Sequence, residues 1–354
     1  MRRINIACTI TCVALVAFTL QSCKKSNGII NDSVISKPYS VHFSDTSGNM
    51  FYTNDGENFY NIAFGGGSRV DAIFGVGDYL MKRLKGSNQL FVSDGKQGKN
   101  VNFNPTLNNL AGGSFGNSAV LTVDGYVDLL GQKVNRVFAC TDLGVQYNDS
   151  NARNKTRWTP VGDTMTGVTK TSLAQTKNRR IYAFDDGTKA VHVKAEPNHN
   201  SLWSARGTVP CDGQAFIIAK GDDVVAVCIA GTDVGKMWIS KNDAWSFDAL
   251  PQITNGGTTI TDVTTAIGGF GKVLIACTKD NGIWRLDGNG IWNWASSGLA
   301  TGTHVYSITQ KNNIYKNDRI NDYIYIATNT GIYRSDDLGQ NWFRIYEGGF
   351  SAIN

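Results

Sequence analysis

The stretch that decides the fold lies near the C-terminus and reads Ala327-Thr-Asn-Thr-Gly-Ile-Tyr-Arg-Ser-Asp-Asp-Leu-Gly-Gln-Asn-Trp342. It predicts a strand that ends at Thr328, a tight turn over residues 329–331 and a second strand over residues 332–335. A loop of short polar residues and glycine follows, and Trp342 closes it. Glycine and short polar side chains suit the backbone of tight turns, so the stretch predicts a β-hairpin whose last loop is sealed by an aromatic ring.

Weaker copies of this hairpin recur towards the N-terminus. Aligned on the two strands, the turn, the polar loop and the aromatic residue, seven segments share the pattern: 41–62, 79–103, 136–158, 180–203, 224–247, 272–292 and 323–342. Another short apolar run precedes most of them, at 70–74, 119–123, 215–219, 263–267 and 305–308. Each repeat therefore carries about four strands over roughly 40 to 50 residues, which is the period of a β-propeller blade.

The composition agrees with a sheet protein rich in tight turns, since the chain has 39 Gly, 6 Pro and 18% charged residues. We predict an all-β fold, a seven-bladed β-propeller with four-stranded antiparallel blades. The first repeat lacks an innermost strand and residues 350–354 are unassigned, so we expect a C-terminal strand to complete the first blade and close the ring. Six and eight blades are the alternatives, because the second and fourth repeats are degenerate.

The polar loop of the last repeat resembles the Asp-box, or BNR repeat, Ser/Thr-x-Asp-x-Gly-x-x-Trp. The residues that match it at every position are Ser335, Asp337, Gly339 and Trp342. Three other repeats carry degenerate copies. One is formed by Asp287, Asn289 and Trp292, with Arg285 in the Ser/Thr place, and a second by Ser240, Asn242, Ala244 and Phe247. The third is formed by Thr53, Asp55 and Phe59 and fits only if one residue is dropped. The chain is thus similar to Asp-box propellers over most of its mature length.

This resemblance implies a structural role for the motif residues. In Asp-box propellers the motif lies at the blade periphery, away from the central pocket. Ser and Asp side chains can bond backbone N–H groups inside the loop, glycine permits a positive φ, and the aromatic ring packs beneath the turn. We therefore interpret Asp337, Asp287 and Asp55 as folding residues, and not as catalytic acids or metal ligands.

The N-terminus has the features of a secretory signal. Arg2 and Arg3 precede a mostly apolar run, and Leu20-Gln-Ser-Cys23 follows it. The Leu-x-Ser-Cys sequence resembles the lipobox of bacterial lipoproteins, in which the cysteine is lipidated after cleavage; an ordinary signal peptide with a chance cysteine is the alternative. We predict a lipoprotein signal peptide over 1–22, a lipidated Cys23 at the start of a tether over 23–37, and the propeller over 38–354.

Asp-box propellers include sialidases, so the resemblance also raises glycoside hydrolysis. A sialidase-like site needs several arginines that clamp a carboxylate, beside a Tyr–Glu pair and an aspartate. The chain lacks the Arg-Ile-Pro sequence of those enzymes, and Phe343-Arg-Ile-Tyr346 is its nearest approach. Its glutamates are Glu57, Glu196 and Glu347. The arginines that could converge at a channel mouth include Arg69, Arg83, Arg136, Arg206, Arg285 and Arg319.

Other chemistries have no supporting motif, and we predict no cofactor and no metal site. The histidines match no zinc spacing, being His42, His192, His199 and His304. Cys140, Cys228 and Cys277 fall at similar places in different repeats and are interpreted as small core residues, while a Cys211–Cys228 disulfide is conceivable in an exported protein. The formal charge of +5 is too small and too scattered to capture nucleic acid.

The sequence therefore predicts a binding protein rather than a defined enzyme. Propellers present loops around one face, which suits recognition of a carbohydrate or a protein. Non-catalytic propellers with this repeat include the photosystem II stability and assembly factors, which this chain resembles. We expect a lipoprotein of the bacterial cell envelope, on the periplasmic or outer-membrane face, that is held to the membrane by lipid on Cys23. We expect its propeller to bind a carbohydrate or protein partner without catalysis. A divergent sialidase-like glycoside hydrolase is the alternative.

Overall fold

The computed structural model describes residues 41–54, 56–63, 67–95, 101–111, 116–149, 158–161, 171–255, 258–259, 263–269, 273–278, 281–314 and 320–354. The predicted signal peptide and tether lie outside the described residues, as do Cys23, Asp55 and Arg319. Within the described part of the chain, no helix is long and apolar enough to cross a membrane.

Strands account for nearly all of the regular structure in the described residues. The first three blades contain β1 (Val41–Asp45), β2 (Met50–Thr53) and β3 (Tyr60–Ala63), then β4 (Val70–Val76), β5 (Tyr79–Leu84), β6 (Leu90–Ser93) and β7 (Phe103–Leu107), then β8 (Val120–Val127), β9 (Lys133–Thr141), β10 (Gly144–Asn148) and β11 (Thr159–Pro160). A short 3₁₀ helix, Gly116–Ala119, precedes the third blade.

The next two blades contain β12 (Thr171–Gln175), β13 (Ile181–Asp185), β14 (Ala190–Lys194) and β15 (Trp203–Thr208), then β16 (Ala215–Lys220), β17 (Asp223–Cys228), β18 (Met237–Ser240) and β19 (Asp248–Ala249). A two-stranded connection consists of β20 (Thr254–Asn255) and β21 (Thr258–Thr259). The last two blades contain β22 (Val263–Gly269), β23 (Val273–Thr278), β24 (Ile283–Leu286) and β25 (Trp292–Trp294), then β26 (Val305–Ile314), β27 (Ile320–Thr328), β28 (Gly331–Ser335) and β29 (Phe343–Glu347). The final strand is β30 (Phe350–Ile353).

These described strands form seven four-stranded sheets, and the seven-bladed, antiparallel prediction is confirmed. The degenerate second and fourth repeats each form a full blade. In six blades the strands follow chain order from the innermost to the outermost. Blade 1 has the order β3-β2-β1-β30, because the C-terminal strand supplies its innermost position. Phe43 lies opposite Ile353, and Ser44 lies opposite Ala352, so the predicted closure by residues 350–354 is also confirmed.

The core lies between the blades and not within any one of them. The described apolar residues form seven clusters, and each cluster joins one blade to its neighbour around the ring. One example is the packing of Ile275 and Cys277 from blade 6 against Ile324, Ile326 and Trp342 from blade 7. Every blade therefore buries both of its faces, and the ring must close before the last face is covered.

In blades 3 to 7 the second strand carries a run of apolar residues on both faces for this reason. Cys140, Cys228 and Cys277 lie on β9, β17 and β23, and each has an exposed fraction of 0%. The prediction that these cysteines are small core residues is confirmed. A strand buried on both faces reads as a continuous apolar run and not as an alternating one.

Hydroxyl groups on the innermost strands also join neighbouring blades. Ser351 of β30 donates a hydrogen bond to the carbonyl of Val70 on β4 at 2.6 Å. Two equivalent bonds run from the Thr122 hydroxyl to the carbonyl of Gly75 at 2.8 Å and from the Ile217 amide to the Ser172 hydroxyl at 2.8 Å. Such bonds satisfy polar groups that would otherwise be buried beside the central axis without partners.

Candidate functional site

The loop that follows β28 is held by a network of short hydrogen bonds. The Ser335 hydroxyl donates to Oδ1 of Asp337 at 2.8 Å, and the Gly339 amide donates to the Ser335 oxygen at 2.8 Å. The Asn341 amide donates to the same Oδ1 of Asp337 at 2.9 Å. Leu338 and Gly339 have φ angles of 59° and 81°, a left-handed conformation that glycine adopts without strain.

The loop after β18 has the same geometry with different residues. The Ser240 hydroxyl donates to Oδ1 of Asn242 at 3.0 Å, and the Ala244 amide donates to the Ser240 oxygen at 2.9 Å. The Ser246 amide donates to Oδ1 of Asn242 at 3.0 Å. Asp243 and Ala244 take the left-handed positions, with φ angles of 61° and 64°. An amide oxygen accepts the same bonds as a carboxylate oxygen, so the loop keeps its shape although its sequence differs.

The two remaining degenerate loops are held differently. Asp287 accepts the amides of Asn289 at 2.9 Å and Ile291 at 2.8 Å, which makes a four-residue hairpin turn. The Thr53 hydroxyl accepts the Gly56 amide at 2.8 Å, one residue earlier than in the loop after β28. The aromatic residues of the degenerate copies pack inward: Phe59 stacks on Tyr346 at 4.4 Å between centroids, Phe247 is half-buried, and Trp292 is buried.

The tryptophans that follow these loops donate hydrogen bonds across blade boundaries. Nε1 of Trp342 donates to the carbonyl of Ala295 at 2.8 Å, and Nε1 of Trp292 donates to the carbonyl of Pro251 at 2.7 Å. Nε1 of Trp158 donates to the Thr106 hydroxyl at 3.2 Å. In each case the acceptor lies at the outer edge of the preceding blade. We call these contacts cross-blade indole bonds.

Trp203 holds the corresponding place in blade 4 but makes no such bond. It is the first residue of β15, its exposed fraction is 4%, and it packs edge to face against Phe138 of blade 3 at 6.3 Å. Its buried Nε1–H has no acceptor among the described residues. Buried donors in native proteins usually have a partner. The missing acceptor therefore sets the boundary between blades 3 and 4 apart from the three boundaries described above.

A cavity of about 350 Å³ lies at this boundary. Its walls are formed by Tyr126, Arg136, Phe138, Tyr147, Pro160, Val161, Lys194, His199, Ser201, Leu202 and Trp203. We call it the blade 3–4 cavity. Its volume falls in the range of small-molecule sites in proteins, about 300 to 1,000 Å³. None of these lining residues has a carboxylate.

Arg136 is the most constrained cation in the wall. Its guanidinium group donates two hydrogen bonds of 2.6 Å to the carboxylate of Asp149. The same group lies 3.8 Å from the ring centroid of Tyr126 and 3.9 Å from that of Tyr147. Stacking between two rings and a bidentate ion pair together hold the guanidinium in one orientation.

Lys194 supplies a second buried cation, with an exposed fraction of 5%. Its Nζ donates to the carbonyl of Ser201, and it lies 6.0 Å from the ring centroid of Tyr126. The Tyr126 hydroxyl donates to the carbonyl of Asn198 at 2.7 Å. Burial raises the pKa of Tyr126 to about 12, against the opposing effect of Arg136, so this phenol is neutral at physiological pH. The walls thus combine two cations with four aromatic rings.

The arginines that could have formed a carboxylate clamp are distributed over several blades. Arg83 bonds Asp71 within blade 2 at 2.8 Å, and Arg136 bonds Asp149 within blade 3. Arg206 of blade 4 lies 3.4 Å from Asp243 of blade 5. Arg69 stacks on Tyr306 at 4.5 Å, and Arg285 lies on β24 of blade 6. Their contacts therefore do not bring three of these described arginines to one carboxylate-binding point.

The cysteines and histidines have structural surroundings. Cys211 and Cys228 are free thiols, and not the disulfide considered from the sequence. The Cys228 thiol donates to the Ala230 carbonyl at 3.1 Å. Burial, with the charge of Lys311 adding to it, lowers the pKa of His42 to about 3, so His42 is neutral. Among the described residues, no three His, Cys, Asp or Glu side chains are grouped so that they could hold a metal ion.

Sequence reasoning did not find the blade 3–4 cavity. It singled out Arg136, His199 and Trp203 separately, as a clamp candidate, a lone imidazole and a repeat marker. The sequence pattern gives Lys194 no role. No spacing rule links these residues, because they meet only where blade 3 packs against blade 4.

Comparisons with known proteins support the fold. No family model matches the sequence, and no curated protein matches it. Among solved structures, the chain is similar to a catalytically inactive virginiamycin B lyase from Staphylococcus aureus with quinupristin, at 11% identity over 84% of this chain and 95% of that chain, with a TM-score of 0.53. It is similar to YCF48 bound to D1 peptide, at 10% identity over 82% and 87% of the two chains, with a TM-score of 0.51.

A third similar structure is an extracellular domain assigned to a hybrid two component system from B. thetaiotaomicron. The identity is 12%, the TM-score is 0.50, and the match covers 81% of this chain. The chain spans about a third of that protein's length, 34%. Likenesses at such low identity establish a shared β-propeller fold and nothing finer.

The cross-blade indole bonds lead to a matched pair of variants. Trp342→Phe removes a buried hydrogen bond, whereas Trp203→Phe removes the same atoms from a site with no such bond. Because a net hydrogen bond contributes about 0.5–1.5 kcal/mol, we expect Trp342→Phe to lower the free energy of unfolding by about that much more than Trp203→Phe does. Urea unfolding followed by circular dichroism measures the difference. Equal losses in the two variants would show that the indole bond has no net effect.

The Asp337 network predicts a dependence of stability on pH. Burial raises the pKa of this carboxyl, but the amides of Asn341 and Gln340, the Asn341 side chain and the Ser335 hydroxyl together hold it below its usual value. A lowered folded-state pKa gives stability that is complete above the unfolded value, about 3.9, and is lost as the pH falls through the folded value. We expect the stability difference between the natural protein and Asp337→Ala to be constant from pH 7 to pH 5 and to shrink below pH 4.

Urea unfolding at each pH tests this expectation. Asp336→Ala is the control, since Asp336 is the exposed neighbour in the same loop. A difference for Asp337→Ala that stays constant down to pH 3 would contradict the proposed role of the carboxylate.

Proposed function

We propose that this chain is an exported lipoprotein, anchored in a bacterial envelope membrane through Cys23, whose propeller binds a carbohydrate or protein partner without catalysis. In this proposal the hairpin loops after β2, β18, β24 and β28 are Asp-box repeats that act in folding. The short N-terminal apolar run and Leu20-Gln-Ser-Cys23 support the anchor. Similarity to an extracellular bacterial domain agrees with a place in the envelope.

One observation carries the binding function, namely the blade 3–4 cavity. It is large enough for a small ligand or for one group of a larger partner, and its walls combine aromatic rings with oriented polar groups. Binding sites in proteins are typically concave and aromatic, with a few polar groups that set orientation. The Asp149 ion pair and the two tyrosine rings fix Arg136 before any ligand arrives, and such preorganisation favours binding.

The positions of the arginines weigh against the glycoside hydrolase alternative. A sialidase-like site would need several guanidinium groups converging on one substrate carboxylate. Arg83 and Arg136 instead donate to Asp71 and Asp149 of their own blades. We therefore rank the hydrolase below the binding protein.

A glycan array combined with a panel of sialidase and glycosidase substrates tests the binding function. We expect the chain to bind at least one glycan or envelope protein and to hydrolyse no substrate faster than a heat-killed control. Hydrolysis above that control would refute the non-catalytic proposal, and the Arg206→Ala and Arg83→Ala variants would then show which arginines the activity needs.

The membrane anchor has its own test. Expressed in a bacterium with the full signal, the natural chain should take up radiolabelled palmitate and sediment with membranes. Cys23→Ser should do neither, because it removes the residue that carries the acyl chains, and stable anchoring needs more than one chain. Cys140→Ser is the matched control, since Cys140 is a buried core residue of blade 3. Equal palmitate labelling of the natural chain and Cys23→Ser would exclude this site of lipidation.

A further inference from the structure

The blade 3–4 cavity takes the place of a cross-blade contact. Trp342, Trp292 and Trp158 each donate their indole N–H to the preceding blade. At the equivalent place Trp203 has no acceptor among the described residues, although Pro160 and Val161 of the preceding blade line the same cavity. A ligand in the cavity that supplied an acceptor oxygen would complete this boundary as the protein's own groups complete the other three.

The charge of the cavity walls favours a ligand with a negative charge. Arg136 and Lys194 are both at least nine-tenths buried, at 4% and 5% exposure, and His199 lines the cavity with them. None of the described lining residues is acidic, and Asp149, which is not among them, pairs with Arg136. Buried cations interact more strongly with an anion than cations in bulk water do. A carboxylate suits them, because it accepts several N–H donors in one plane.

The aromatic rings in the walls favour a ligand that contains a ring. Tyr126, Phe138, Tyr147 and Trp203 line the cavity, and Phe138 packs against each of the other three rings. A flat or slightly puckered ring packs on aromatic faces over a large area with little loss of internal freedom. A volume of about 350 Å³ accepts one such ring with its substituents and excludes a folded chain of several residues.

We propose that the blade 3–4 cavity binds a small ring-bearing carboxylate, either a sugar acid or an aromatic acid. The carboxylate lies against Lys194 and Arg136, the ring packs among Tyr126, Tyr147 and Phe138, and a ligand oxygen accepts the N–H of Trp203. This inference rests on the proposed binding function and names the ligand class of one site. It adds no covalent step.

Calorimetric titration of the full chain in detergent solution tests the ligand class. Glucuronate represents the sugar acids and phenylacetate the aromatic acids, with glucose and 2-phenylethanol as their neutral counterparts. We expect at least one of the two carboxylates to bind about tenfold more tightly than its neutral counterpart, because a charge-assisted hydrogen bond is lost in the latter. The carboxylate that binds shows whether the natural ligand is a sugar acid or an aromatic acid. Binding of neither carboxylate, or equal binding of a carboxylate and its neutral counterpart, would overturn the proposal.

Variants then place the ligand in this cavity. Trp203→Phe and Lys194→Met should each weaken carboxylate binding about tenfold. Trp342→Phe should leave it unchanged, since Trp342 lies at the boundary between blades 6 and 7. Trp203→Phe loses no protein hydrogen bond among the described residues, so it keeps the test valid should Lys194→Met fail to fold. Unchanged affinity in Trp203→Phe would overturn the assignment of the indole N–H.

Nitrogen-15 labelling of the eight tryptophans gives a direct readout. The indole signal missing from Trp203→Phe is that of Trp203, and it should move downfield when the carboxylate is added. A signal that does not move would overturn the proposed contact. A positive glycan array together with no carboxylate binding would overturn this inference while leaving the proposed binding function intact.

Discussion

Burial between neighbouring blades is the interaction on which the rest of the structure depends. Each described apolar cluster belongs to two blades, so no blade could bury both of its faces alone. Burying one large aliphatic or aromatic side chain contributes about 1.5–3 kcal/mol relative to leaving it exposed. The innermost strand of blade 1 comes from the C-terminus for the same reason. In a ring whose first and last segments share one sheet, no blade face is left uncovered, and the sheet edges that remain are short.

The outer loops show how sequence can change while geometry is kept. Ser335 and Asp337 hold one loop, and Ser240 and Asn242 hold another with the same pattern of hydrogen bonds. What the loop requires is a hydroxyl, an acceptor oxygen two residues later and a backbone that tolerates positive φ. Ala244 meets the last requirement at a higher conformational cost than Gly339. Repeats of this kind therefore diverge until only their spacing identifies them.

The boundary between blades 3 and 4 differs from the three boundaries that carry a cross-blade indole bond. Its walls hold the buried cations Arg136 and Lys194 and the indole N–H of Trp203, which has no acceptor among the described residues. Buried charge is costly in a protein interior unless it is paired and hydrogen-bonded. Arg136 is stabilised by Asp149 and two tyrosine rings. A cavity lined by two buried cations is a feature that folding alone does not require, which is why we place binding there.

The sequence by itself determined the all-β fold, the closing role of residues 350–354 and the core position of Cys140, Cys228 and Cys277, and it predicted seven blades with six and eight as alternatives. Each of these follows from a local pattern or from the repeat period, which operate within about 50 residues of chain. Only the tertiary structure decided which arginine meets which aspartate, where the indole of each tryptophan points and that a cavity opens between blades 3 and 4. Tyr126, Arg136, Lys194 and Trp203 come from strands of two different blades, and their contact depends on how the blades pack around the axis. A one-dimensional pattern records what each strand buries, but it does not record which side chains of the neighbouring blade it will meet.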